Sequence, residues 1–472
     1  MKGSSEFRKR LQRRIIMDPE NRQYQKGLSR EIVSIGVPSF LETLFTTFVS
    51  VIDSKMVSAL GTSAISAVSV TNQPRLFIYS VFFALSTVTT SLVARYNGSE
   101  DRENANRIFD HVLKLTLILS VILGIMAVVL ARPIMILFSG QKDTLEDSII
   151  YYRIVMGGMI FNLVFLTINA ALRGFGKTKL TFADNVLACV VNIIFNYLLI
   201  EGHCGFPAWG IAGAAAATVL GNVAACLLSI VFTCSKKLFI SIPYCISQRY
   251  HMTKDSLKEI MTMAKSCLID NLSMRVTLLI ISGITARIGS FQMAIYSIGN
   301  YLLNVNFALG TGFQTSAVTL IGRSYGENDF SKLTDFRKKL LKLGMISAAV
   351  LSVVIVFGGK AFFRFFSDDE TFITMGGISS IFIGVIAIFQ TLKFINTGCL
   401  QGVGKMKEVM ICSIVGFSCV NLLMVVLTVL VFKWGINGVW TSTLISQAAQ
   451  ALLLAFFIRK TPAFSGSPQK DN

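Results

Sequence analysis

The chain has 472 residues, 53% of them hydrophobic and only 15% charged, with a mean hydropathy of +0.63. A soluble domain carries about a quarter charged residues, so this composition excludes a soluble protein and requires much of the apolar surface to face lipid. The net charge of +18 would point to a nucleic-acid partner only if basic residues formed a face interleaved with aromatics; here they crowd into tails and short connectors, so no nucleic-acid partner is expected.

In chain order, a basic tail (1–30) contains Arg8, Lys9, Arg10, Arg13 and Arg14. No apolar stretch follows until about Ile32, so no cleavable signal is expected. Apolar runs of spanning length then cover 32–57, 64–94, 111–138, 151–171, 180–200 and 210–234. A hydrophilic linker (235–257) precedes runs at 258–286, 292–321, 340–362, 374–399, 407–432 and 435–458, and a short tail (461–472) ends the chain. Each run is far longer than a barrel strand and apolar throughout. Lipid offers no partner to free backbone groups, so each run must be helical. The fold class expected is an all-α polytopic membrane protein with twelve transmembrane helices.

Lysine and arginine concentrate in the tails and in alternate connectors, including Lys236, Lys237, Arg249, Lys254, Arg337, Lys338 and Lys339. The positive-inside rule predicts both termini in the cytoplasm and a multi-pass protein of the cell membrane. Membrane lipids are then obligatory partners, and the basic tail suits anionic headgroups.

The two halves repeat. Adding 228 carries Glu42 onto Asp270, Gly61 onto Gly289, Asn72 onto Asn300, Arg95 onto Arg323, Gly98 onto Gly326 and Asn162 onto Gln390. Two six-helix lobes follow, 31–234 and 258–460. Because each has an even number of spans, the pseudo-twofold axis runs along the membrane normal, a symmetry found in secondary transporters. A chain that carries its own twofold repeat is not expected to need further copies, so a monomer is predicted.

Ionisable groups inside a bilayer cost about 2.5–3.5 kcal/mol each on insertion scales. Asp53, past the middle of the first span, is the leading candidate to bind a coupling H⁺ or Na⁺; the bland alternative is a salt bridge to Arg75 or Lys55. Asp184, Asn192 and Asn196 form a polar stripe on the fifth span, with Thr218 on the sixth, and these complete the expected cation-coupling set. Polar residues of this kind also serve as glue between helices. Candidates for the substrate cleft are Glu42, Asn162, Asn169, Asp270, Arg275, Gln390 and Lys393. Arg75, Arg275, Lys55 and Lys393 sit against Glu42, Asp53, Asp184 and Asp270, so a near-neutral lining is expected, which does not point to a strongly acidic pocket for organic cations and leaves a zwitterionic or anionic substrate open. Pro38 and Pro74 are candidate hinges, since proline removes a backbone bond within a helix.

The nine cysteines form no CxxC pair, and His111, His203 and His251 are scattered. Neither a metal centre nor an enzyme is expected, and no cofactor beyond the coupling ion.

At Gly36, Pro38, Asp53, Gly61, Arg95 and Gly98 the chain resembles the multidrug and toxic compound extrusion (MATE) transporters. The likeness continues through Leu172 to Lys179, Gly210 to Thr218, and the second-half copies Ile321 to Gly326 and Leu400 to Lys405. It implies multidrug or organic-solute efflux by H⁺- or Na⁺-coupled antiport, through a central cleft between two lobes that opens to alternate sides. Asp53 matches the family's first-span aspartate. Asn192 matches the fifth-span asparagine that partners it in the branch similar to the DNA-damage-inducible F proteins, where Asn196 replaces a frequent second aspartate. A NorM-like Na⁺ site is not implied, because Asp270 lies early in its span and the tenth span offers Gln390 and Lys393. The rival within the same superfamily is a flippase of lipid-linked oligosaccharide.

Overall fold

The computed structural model describes residues 19–138, 142–235, 238–251 and 254–464. Every long element among them is a helix, and they contain no strand. The N-terminal half comprises α1 (Pro19–Ser58), α2 (Thr62–Gly98), α3 (Arg102–Val129), α4 (Ala131–Phe138), α5 (Leu145–Gly157), α6 (Met159–Gly174), α7 (Thr178–Ile200) and α8 (Ile211–Thr233). After a small linker helix, α9 (Ile242–Gln248), come α10 (Lys254–Ile288), α11 (Ser290–Gly326), α12 (Phe330–Arg364), α13 (Glu370–Gly402), α14 (Met406–Val431) and α15 (Gly435–Lys460).

Ten of these helices are long and apolar enough to cross a membrane, and the bent pair α5–α6 makes eleven. The expected twelfth span is α11. It runs for 37 residues and contains the 292–321 run, but Gln292, Asn300, Asn304, Asn306 and Gln314 make it more polar than the other spans. Large apolar side chains such as Ile125, Leu137, Phe357 and Leu452 stand exposed on the outside of the bundle, a surface that lipid would cover.

The repeat is written into the backbone. Asp101 caps α3 by accepting from the Asn104 amide, and 228 residues later Asp329 caps α12 by accepting from the Lys332 amide. Each cap satisfies an orphan donor of a helix start. Gly176 and Gly404, also 228 apart, turn the chain at φ +82° and +81°, a left-handed conformation open to glycine at little cost.

Three features add detail to the sequence reading. Helix α1 is described from Pro19, so residues 19–30 of the basic tail are helical. Neither Pro38 nor Pro74 breaks its helix; the sharp break is a 48° bend between Gly157 and Met159. Alpha-helical order is also interrupted in α14, by π-turns at Ser413–Cys419 and Val426–Val431. Finally, the linker is strapped to α3. Arg102 and Asn106 donate to the Leu238 and Phe239 carbonyls, Asn106 accepts from the Ser241 amide, and Lys114 donates to the Tyr250 carbonyl. Lys236 and Lys237 lie outside the described residues.

Candidate functional site

The lobes meet where α1 packs on α11 and α2 packs on α10 and α11. At the end of the bundle where α2 and α11 finish, they nearly touch. A Cβ on Gly98 would overlap the Arg323 carbonyl, and one on Gly326 would overlap that of Arg95. Two hydrogen bonds obey the same symmetry: Ser91 Oγ donates to the Gln401 carbonyl, and Thr319 Oγ1 donates to the Arg173 carbonyl at 2.8 Å. All four positions are related by the 228-residue shift, so the pseudo-twofold axis passes through this seal.

Directly behind the seal, a cavity of about 330 Å³ lies between the lobes. Phe83, Ser86, Thr87 and Thr90 of α2 line one side, and their repeat equivalents Thr311, Gln314, Thr315 and Val318 of α11 line the other. Arg173 and its equivalent Gln401 complete the symmetric pair. None of the seven expected cleft residues lines this cavity. Glu42 instead is bound inside the N-lobe, in an ion pair with Arg173 at 3.1 Å and accepting from Thr181 at 3.0 Å and Asn185 at 2.9 Å. Asn162 donates to Asn222 at 2.9 Å, and Gln390 accepts from Asn306 at 2.6 Å; both join helices within one lobe. Asn169 is buried with an unpartnered Oδ1. Asp270 faces Lys393 and Ser413 within the C-lobe, Lys393 lies over the Phe394 ring at 4.3 Å, and Arg275 is half-buried on the same helix as Asp270.

The expected coupling residues fare differently. Asp53, Asn196 and Thr218 line one cavity of about 140 Å³ inside the N-lobe. Asn196 Nδ2 donates to Asp53 Oδ1 at 2.8 Å. The Asn192 amide is oriented with its nitrogen toward the carboxylate, 2.7 Å from Oδ1, and its oxygen toward the Thr218 amide, because the opposite orientation would aim oxygen at oxygen. Spacing along α7 explains the convergence: residues four apart share a face. Asp184, twelve residues earlier, is on the same helix but outside this cavity.

Arg75 lines the cavity yet donates to Asn72 Oδ1 at 2.7 Å. No lysine or arginine among the described residues lies within ion-pair distance of Asp53, and Lys55 is exposed. Sequence reasoning missed Ser50, Ser54, Ser69 and Tyr151, which also line the cavity. The signal was available for two of them, since Ser50, Asp53, Ser54 and Val57 fall at the i, i+3, i+4, i+7 spacing of one helical face.

Comparison with known proteins agrees with this architecture. The chain is 21% identical to the uncharacterized transporter YisQ of Bacillus subtilis, over 90% of this chain and 92% of that one. It is 22% identical to the probable multidrug resistance protein NorM of Thermotoga maritima, over 91% and 92%. A solved structure of a multidrug resistance MATE family transporter in an outward-facing conformation superposes with a TM-score of 0.85 at 20% identity, covering 93% of this chain and 97% of that one. The MatE family model matches twice, over residues 38–198 and 267–427, once in each lobe. The chain is therefore a multi-pass membrane transporter of the MATE multidrug efflux family.

Proposed function

We propose that the protein is a cation-coupled antiporter that exports small organic molecules across the cell membrane, with Asp53 as the coupling carboxylate. The observation that carries this reading is Asp53 itself, an acid in a cavity of about 140 Å³ with room for water, held by two amide nitrogens and by no lysine or arginine among the described residues. Such a carboxyl can gain and lose a charge without breaking an ion pair.

H⁺ fits better than Na⁺. A hard cation needs several oxygen ligands, and Asp53 is the one acid among the residues that line this cavity. The pairing of Asp53 with Asn192 and Asn196 also favours the branch similar to the DNA-damage-inducible F proteins over the NorM-like one. Asp184, Asp270 and Lys393 take no part in this site.

Substrate would occupy the inter-lobe cavity behind the seal. With the termini cytoplasmic, as the positive-inside rule predicts, the sealed end faces the cytoplasm and the conformation is open outward. A flippase would need a free cation for phosphate in the cleft, but Arg173 is neutralised by Glu42. The test is efflux from proteoliposomes driven by an imposed pH gradient or Na⁺ gradient. Efflux under the pH gradient alone supports the reading; Na⁺-only drive, or scrambling of lipid-linked sugar, replaces it.

A further inference from the structure

The N-lobe contains a second acid that the site above does not use. Asp184 is completely buried, and neither carboxyl oxygen has a hydrogen-bond donor. Leu180 and Ala188, one turn to either side of it, pack into an apolar cluster with Ile168 and Leu172 of α6 and Cys226 of α8. An ionised carboxylate buried without a donor is among the costliest arrangements a protein can hold, so the group that fits this pocket is the neutral acid. The titratable groups facing it are Glu42 across on α1 and the Cys226 thiol on α8.

Glu42 connects Asp184 to the seal. Its carboxylate pairs with Arg173, and the Arg173 carbonyl is gripped by Thr319 from the other lobe. A negative charge on Asp184 would repel Glu42 and loosen that corner.

We propose that Asp184 is a second proton-binding group of the N-lobe, whose proton holds the seal at Arg173 and Thr319 closed. When the seal opens, the carboxyl O–H breaks and its proton passes to water at that end, leaving a carboxylate; reprotonation permits reclosure. The proposal rests on the reading of the chain as a proton-coupled carrier.

The experiment uses the full-length protein in lipid nanodiscs and proteoliposomes, as wild type, Asp184→Asn and Asp53→Asn. At neutral pH the infrared spectrum of wild type should contain the carbonyl stretch of a neutral buried carboxyl that Asp184→Asn lacks and Asp53→Asn retains. Because the amide mimics the protonated acid in shape, Asp184→Asn should keep the fold and the seal but lose pH-driven efflux. A wild-type minus Asp184→Asn spectrum without that band, or an Asp184→Asn protein that exports as wild type does, overturns the proposal. The infrared comparison is independent of Asp53, so failure of the coupling reading and failure of this one are separable.

Discussion

Asn196 reaches across from α7 to donate to Asp53 on α1 at 2.8 Å, tying the transporter's leading carboxylate to the helix that carries the expected polar stripe. A hydrogen bond to a charged group contributes about 1.5–3 kcal/mol. Asn196→Ala should therefore slow proton-driven efflux about tenfold or more while leaving the thermal midpoint within a few degrees. Efflux kinetics in proteoliposomes and a melting curve in detergent check both halves of this expectation.

The seal predicts intolerance of side chains. Any residue larger than glycine at 98 or 326 meets a carbonyl oxygen of the opposite lobe, and overpacking of this kind costs about 1–3 kcal/mol. Gly98→Leu and Gly326→Leu should each hold the end open, exposing a cysteine placed at Thr319 to a membrane-impermeant thiol reagent that leaves it unmodified otherwise.

Removing one half of the Glu42–Arg173 pair leaves the other charge half-stranded, because both side chains are mostly buried, at 14% and 19% exposure. Breaking a buried pair costs about 3–5 kcal/mol, whereas replacing both partners is often close to neutral. Glu42→Gln should lower the melting temperature markedly, and the double variant Glu42→Gln with Arg173→Gln should recover most of the loss.

The linker strap makes a chemical prediction. Cys245 is buried against Asn106, and burial pushes its thiol up to about 12. Thiolate is the reactive form and forms only as the pH rises through that value. At pH 8 a maleimide should modify exposed Cys204 and Cys234 but spare Cys245, and Asn106→Ala should release the linker and make Cys245 reactive.

How much of this was legible beforehand differs between levels. All twelve spans could be read as apolar runs, because lipid punishes any alternative, although α11 is the most polar of them and falls short of the apolarity that marks the others in the structure. The pairing of Asp53 with Asn192 and Asn196 followed from helical spacing and family resemblance together. Distances between helices were not legible. Whether Glu42 meets a cleft or an arginine depends on how α1 packs on α7 and on the reach of Arg173 from α6, which no periodicity encodes, and Arg173 was passed over because it stands in a glycine-rich turn motif. Pro38 and Pro74 lie within continuous helices, and the 48° break between Gly157 and Met159 is one that no proline marks.

The most direct measurement of the central claim is efflux by wild type and Asp53→Asn in the same proteoliposomes, with a fluorescent organic substrate inside and a pH gradient imposed. The account predicts that wild type is accelerated by the gradient and that Asp53→Asn, properly folded and still able to bind substrate, gains nothing from it. Equal gradient-driven efflux by the two proteins would contradict it.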